Sequence, residues 1–212
     1  LQTYTASIDP CLLSGKFLVL HRILSSIRKH TQDRVIIVSN FTSTLNLLQR
    51  YCVRQKFPFL RLDGRTKADV RSKMVNEFNS DSGSDHLGKQ PFVFLLSSKS
   101  GGVGLNLIGA NRLILFDSDW NPATDRQAMA RIHRDGQLKP CFIYRLLLVG
   151  SMDEKIYQRQ ITKIGLSDSL MSNEAAKDHD VASSSDTFSQ EELRDVFGYH
   201  PNTTCLTHDL LG

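Results

Sequence analysis

Long apolar runs are missing from this 212-residue chain. Its uncharged apolar stretches, such as Phe92–Leu96 and Leu146–Val149, fall far short of the ~20 residues that a bilayer requires, so no membrane partner is read. Cysteine is scarce and unpaired in spacing: Cys11, Cys52, Cys141 and Cys205 lie far apart. That pattern excludes a disulfide framework and fits a reducing compartment, cytosol or nucleus. The first ten residues lack a basic start followed by an apolar run, so no secretory leader is read, and the opening Leu1 suggests a cut fragment. No internal repeat with a period of 20 to 50 residues is visible. With 40% hydrophobic and 23% charged residues, the composition also excludes a wholly disordered, collagenous or coiled-coil chain.

What is present is enough for one well-cored domain with a small appendage. The net charge of +4 conceals an asymmetry. Residues 1–164 carry 24 basic and 13 acidic side chains, whereas residues 165–212 carry 2 and 9. A basic body of this kind can gather around a polyanion by releasing counterions, although a well-solvated surface has the same composition.

From Arg34 onward, short β-rich runs alternate with helical patterns, as strands joined by helical crossovers require. Val35–Ser39, Pro58–Leu62, Phe92–Leu96, Arg112–Phe116 and Cys141–Leu148 read as five strands, and their continuous apolar character predicts a parallel sheet covered on both faces. Leu45, Leu48 and Cys52 stripe a helix over Phe41–Gln55; Val70, Met74 and Phe78 stripe another. Asn121-Pro122 opens a helix read as far as Arg134, with Gly136 as its stop. Ser151 and Glu154 form a capping box for a helix over Met152–Lys163, ended by Gly165. The stretch Asn79–Gln90 is polar and rich in Gly and Ser, the pattern of a mobile surface loop. The predicted division is an N-terminal segment over residues 1–15, a body over 16–165, and an acidic, partly disordered extension over 166–212. Within that extension Ser189 and Glu192 make a second capping box, for a short helix ending at Gly198.

Two segments could carry chemistry. Ser97–Leu107 follows a strand directly, which puts Gly101, Gly102 and Gly104 with Ser98 and Lys99 at the carboxyl edge of the sheet, where α/β folds bind ligands. Its backbone N–H groups could approach phosphate oxygens; a tight turn packing a helix on a strand is the other reading. It is not a complete nucleoside triphosphate site, because no Gly-Lys-Ser/Thr stands here, and Ser14-Gly15-Lys16-Phe17 lacks the final hydroxyl. In the second segment, Gln127, Arg131 and Arg134 fall at i, i+4 and i+7 of the helix, so all three project from one stripe near its end. Two guanidiniums aimed one way repel unless an anion lies between them, and a triphosphate is such an anion. A solvated face paired with carboxylates such as Asp125 is the alternative.

The motifs in order carry a resemblance. Arg34–Leu48, Arg61–Arg71 and Leu95–Gln137 resemble successive motifs of the second ATPase lobe of superfamily-two nucleic-acid motors, specifically the Swi/Snf-type double-stranded DNA translocases. The likeness runs from residue 14 to about 164, and RDGQ, IYRLL, EKIYQRQITK and the distal FSQEELRDVF point to the recombination-repair, Rad-fifty-four-like branch. The resemblance implies a RecA-like fold with helices on both faces of a parallel sheet, plus a short, mostly irregular or helical C-terminal extension. It implies that Arg131 and Arg134 are arginine fingers, and that Gly104, Asn106 and Gln127 face the nucleotide. Ser98, Lys99 and Trp120, and more weakly Arg65 and Lys67, correspond to DNA contacts. It further implies ATP and Mg²⁺ held mainly by a first lobe in cis, double-stranded DNA and a RecA-family recombinase as partners, nuclear location, and no ATPase activity from this piece alone. An RNA helicase lobe is disfavoured by Trp120-Asn121-Pro122 and His133–Gln137; a non-catalytic nucleotide-sensing or scaffold domain stays open. Relatives of the branch carry a small zinc element near the C-terminus, but here only Cys205 and His208 correspond and position 169 is Ser169, so no metal is assigned.

Overall fold

The computed structural model describes residues 14–80, 90–100, 105–172 and 190–211. In chain order the elements are α1 (Gly15–His30), β1 (Val35–Ser39), α2 (Thr42–Arg54), β2 (Phe59–Leu62), α3 (Ala68–Asn79), β3 (Val93–Ser97), β4 (Arg112–Leu115), α4 (Pro122–Met129), β5 (Phe142–Arg145), α5 (Met152–Ser172), α6 (Gln190–Val196) and α7 (Leu206–Leu211). All five strands are parallel, in the order β2-β3-β1-β4-β5.

The apolar runs of β1, β3 and β4 form the centre of this sheet because successive side chains alternate between two covered faces; at the edge strand β5 the expected two-sided cover fails, and Phe142 and Ile143 are exposed. On one face Val35, Ile37, Val93, Leu95 and Ile114 pack with Phe17, Leu20, Leu24 and Ile27 of α1 and with Leu45, Leu48, Tyr51 and Cys52 of α2. On the other, Ile36, Val38, Phe94, Leu96, Leu113 and Leu115 pack with Phe78 of α3 and Ala128 of α4. Each fully buried Leu, Ile, Val or Phe side chain contributes about 1.5–3 kcal/mol relative to exposure. The RecA-like α/β architecture expected from the resemblance is the one observed.

The molecule divides into two compact units: residues 1–118 with 123–146, and residues 119–122 with 147–212. The first contains the whole sheet. In the second, Glu154 on α5 accepts hydrogen bonds from the Gly150 N–H at 2.7 Å, the Thr207 N–H at 2.7 Å and the Thr207 hydroxyl at 2.9 Å. Gly150 permits this close packing: its φ is +66°, and a Cβ there would stand 2.1 Å from the His200 carbonyl oxygen.

Three further expectations are corrected. The helix read from Asn121 to Arg134 ends at Met129, and the following N–H groups of Arg131 and Ile132 bond three residues back, to Ala128 and Met129. The Arg131 carbonyl is taken by the Leu107 N–H at 3.1 Å, which draws the chain out of helical register. Gly165 does not end α5, which runs on to Ser172; a single helical glycine costs only about 1 kcal/mol relative to alanine. Of the stripe on α3, Phe78 is buried but Val70, in the first turn, is exposed. The polar stretch Asn79–Gln90 falls largely outside the described residues, as does Ser189 of the second capping box.

Candidate functional site

Parallel strands align their carboxyl ends, so the segments that follow β1, β2, β3 and β4 converge on one edge of the sheet. Ser98–Ser100 forms a single 3₁₀ turn after β3, with Lys99 exposed and Ser100 buried. Arg65 and Lys67 lie exposed between β2 and α3, where Asp63 orders the turn by accepting from the Arg65 N–H at 3.0 Å and pairing with Arg61 at 2.9 Å. Those bonds overcome the penalty of burial and hold the Asp63 carboxyl below its ordinary range. Trp120 belongs to the other compact unit and is 41% exposed.

The arginines occupy a turn rather than a helix face. Arg131 is 7% exposed, whereas Arg134 is exposed, with its Nε donating to the Ala130 carbonyl at 3.2 Å. Burial lowers the basicity of Arg131, and the charge of neighbouring Arg134 lowers it further. The two cations are therefore electrostatic neighbours, although not by the helical stripe that the spacing suggested. Asn106, Arg134 and Asp135 line a cleft of about 430 Å³. Gln127 sits exposed on α4, and Gly104 lies outside the described residues along with Gly101 and Gly102. Asp125 is buried and binds Arg145 at 3.1 Å.

Gln137 holds the arginine turn to the segment that carries Asn106. Its side-chain amide donates to the carbonyls of Ala110 at 2.8 Å, Ile132 at 3.2 Å and Ile108 at 3.3 Å. The Gln137 N–H closes the turn on the Arg134 carbonyl at 3.0 Å, and Gly136 supplies the positive φ of +96° that this turn needs. Asn79 secures the same segment from α3, donating to the Asn106 carbonyl at 2.7 Å and accepting from the Gly109 N–H at 2.9 Å. Asn106 Oδ1 is buried with no hydrogen-bond partner among the described residues. One guanidinium, that of Arg134, lining the same cleft as an orphan acceptor fits an anion bearing hydroxyl groups, as a nucleotide does.

Sequence reasoning missed a second cluster at the same edge. Asp117, directly after β4, accepts from the Ser39 hydroxyl at 2.5 Å and from the Asn40 N–H at 2.6 Å. Lys16, from the Ser-Gly-Lys rejected above as a phosphate motif, donates to the Phe116 carbonyl at 2.9 Å instead. Among the described residues no group of three or more His, Cys, Asp and Glu could hold a metal ion.

The family model described as the helicase conserved C-terminal domain matches residues 15–136. The chain is 50% identical over 200 residues to the DNA repair and recombination protein RAD54-like of Drosophila pseudoobscura pseudoobscura, covering 94% of this chain and 24% of the relative. It is 48% identical over 205 residues to the DNA repair and recombination protein RDH54 of Saccharomyces cerevisiae strain YJM789, covering 97% and 21%. The chain thus spans about a quarter or less of the length of these curated relatives. The crystal structure of the C-terminal part of the Fun30 ATPase domain matches with a TM-score of 0.67 and 38% identity, covering 76% of this chain and 49% of that one.

Proposed function

This chain belongs to the helicase conserved C-terminal domain family, and on that footing we propose that it is the second motor lobe of an ATP-dependent double-stranded DNA translocase acting in homologous recombination and repair. The lobe is read as residues 16–165 and the acidic extension as 166–212. The observation that carries the proposal is the turn that keeps buried Arg131 close to Arg134, with Arg134 lining the cleft it shares with Asn106. ATP, with Mg²⁺ held mainly by a first lobe in cis, supplies the phosphoryl bond whose hydrolysis drives the motor. Arg131 and Arg134 meet the transferring phosphoryl group and stabilise its charge, Asn106 accepts from the nucleotide, and Gly104 and Gln127 border it. Alone, the lobe has fingers without a phosphate cradle and does not hydrolyse ATP.

The burial of Arg131 supports this division of labour. A guanidinium already out of water loses little hydration when an anion arrives, and its repulsion with Arg134 is relieved at that moment. DNA is gripped through its backbone by the turn bearing Ser98 and Lys99, by Arg65 and Lys67, and by Trp120, so little sequence preference follows. The family relationship and the relatives' names support a nuclear site of action and a RecA-family recombinase as partner; loss of that partner from a pull-down with the intact protein removes this last element.

The test is kinetic. In the intact two-lobe protein, Arg131→Ala and Arg134→Ala each lower duplex-stimulated ATP hydrolysis by about 10³-fold or more, the range of arginine fingers elsewhere. Wild-type turnover in both variants overturns the finger assignment, and stimulation by RNA equal to that by duplex DNA overturns the DNA-motor reading.

A further inference from the structure

We propose that Asp117 is a positioning residue for the DNA-gripping turn, fixing Asn40 and, through Asn40, the Ser98 hydroxyl, so that Ser98 acts as an internal latch while Lys99 makes the contact with the duplex backbone. This rests on the DNA role assigned above to the Ser98–Ser100 turn.

Three strand ends meet in the cluster. Asp117 is 9% exposed; its two carboxylate oxygens take the Ser39 hydroxyl at 2.5 Å and the Asn40 N–H at 2.6 Å. The Ser39 oxygen in turn accepts from the Phe41 N–H at 3.1 Å, and its one proton goes to Asp117 at 2.5 Å in preference to the Phe41 carbonyl at 3.3 Å. The Asn40 side-chain NH₂ donates to the Asp117 carbonyl at 3.5 Å, and its Oδ1 accepts from the Ser98 hydroxyl. That arrangement fixes the Asn40 amide: turned over, its oxygen would face the Asp117 carbonyl, acceptor against acceptor. The β4 end thereby dictates which atom the β1 end offers to the turn after β3.

The proton count separates Ser98 from Lys99. A serine hydroxyl has one proton, and that of Ser98 is committed to Asn40 Oδ1. A phosphate oxygen at duplex backbone accepts and cannot donate, so Ser98 cannot serve both partners at once. Lys99, next along the turn and exposed, carries three donors and a charge. Within the turn the Ser100 hydroxyl donates to the Ser97 carbonyl at 3.2 Å, adding a second internal tie. Burial raises the Asp117 carboxyl above its ordinary range, against the hydrogen bonds from Ser39 and Asn40 and the charge of Lys16. A carboxylate kept in an unfavourable environment at a strand end, with each of its oxygens held by a donor, marks a constraint on geometry.

The experiment uses the intact two-lobe protein. Asp117→Asn raises the duplex concentration for half-maximal ATPase stimulation roughly tenfold, while the DNA-free ATPase rate and the KM for ATP stay at wild-type values. Asn40→Ala, a smaller disturbance of the same relay, shifts it in the same direction and serves if Asp117→Asn does not fold. In a Lys99→Ala background, Asp117→Asn adds little, because the contact it positions is already gone. Unchanged half-saturation in Asp117→Asn, or effects of Asp117→Asn and Lys99→Ala that simply multiply, overturns the proposal. If Lys99→Ala alone leaves half-saturation unchanged, the DNA role of the turn falls instead, and amide hydrogen exchange then judges the relay. Faster exchange at Ser98–Ser100 in Asp117→Asn, with the strands unchanged, sustains it; identical exchange rates sink it.

Discussion

The sheet unit and the C-terminal unit are held together by different forces. The first has two apolar clusters, one on each face of the sheet, built chiefly from β1, β3 and β4, whose side chains are almost wholly out of water. The described part of the second has few buried apolar side chains, Ile156 and Val196 among them, and centres on Glu154, which is 2% exposed. Around that carboxylate stand the Gly150 and Thr207 donors and the Cys205 thiol at 3.7 Å. Gln160 adds a bond to the Asp119 carbonyl at 2.5 Å, and Lys155 pairs with Asp195 at 2.9 Å. Apolar packing is distributed, so each side chain removed costs in proportion to its volume. A single acceptor serving several donors concentrates the cost at one atom.

Substitution in each region sharpens that contrast. The largest expected effect is in the sheet: Phe94, fully buried with its ring 4.9 Å from that of Phe78, leaves a cavity when truncated. Phe94→Ala should lower the stability of the chain by about 3–5 kcal/mol in urea unfolding, without altering which amides exchange first. Glu154→Gln keeps the shape but gives up the charge that its donors favour, at about 2 kcal/mol. Its signature is local: faster hydrogen exchange at Gly150 and Thr207, with the amides of β1 and β3 unchanged. Uniform acceleration across both units would show that Glu154 supports the whole molecule and that the contrast is mistaken.

The two forces also differ in how they appear in the sequence. Five strands were legible because continuous apolar runs admit few other structures, and α2 because Leu45, Leu48 and Cys52 keep one face. Helix α1 carries the same periodic signal in Phe17, Leu20, Leu24 and Ile27, but its start is weakly marked, since Ser14 makes no side-chain cap hydrogen bond. The premature end of α4 was hidden, since the Leu107 N–H that captures the Arg131 carbonyl is distant along the chain. Proximity of Arg131 and Arg134 was legible, but the difference in their burial was not, because it depends on what packs around the turn. Ser151 and Glu154 did signal a helix start; that the carboxylate would reach Gly150 and Thr207 depends on chain geometry no local pattern encodes. Asp117 is the same case, an acidic residue in FDSDW whose partners at Ser39 and Asn40 become neighbours only when β4 pairs with β1.

Acid gives the smallest expected effect and separates two buried carboxyls, Glu154 and Asp117, by sign. Desolvation pushes the Glu154 carboxyl up, but the bonds from Gly150, Thr207 and Cys205 outweigh it and hold the folded value below the ordinary 4.5. Its contribution to stability is therefore present above pH 4.5 and is lost as pH falls through the lower, folded value. Asp117 runs the other way: with its folded value raised above 3.8, its contribution is present below that pH and is lost as pH rises through the folded value. Asp33, paired with Arg112 at 2.7 Å, and Asp63 follow the pattern of Glu154 within the sheet unit, so these contributions are also lost in acid. Asp117→Asn removes the opposing contribution of the one carboxyl among the described residues whose value is raised, and its stability should fall more steeply than that of the wild type as pH drops from neutral. Glu154→Gln should flatten the acid limb, and hydrogen exchange measured across the titration should place that flattening at Gly150 and Thr207. Parallel stability curves for the wild type and both variants would mean that neither carboxyl has the environment its contacts imply.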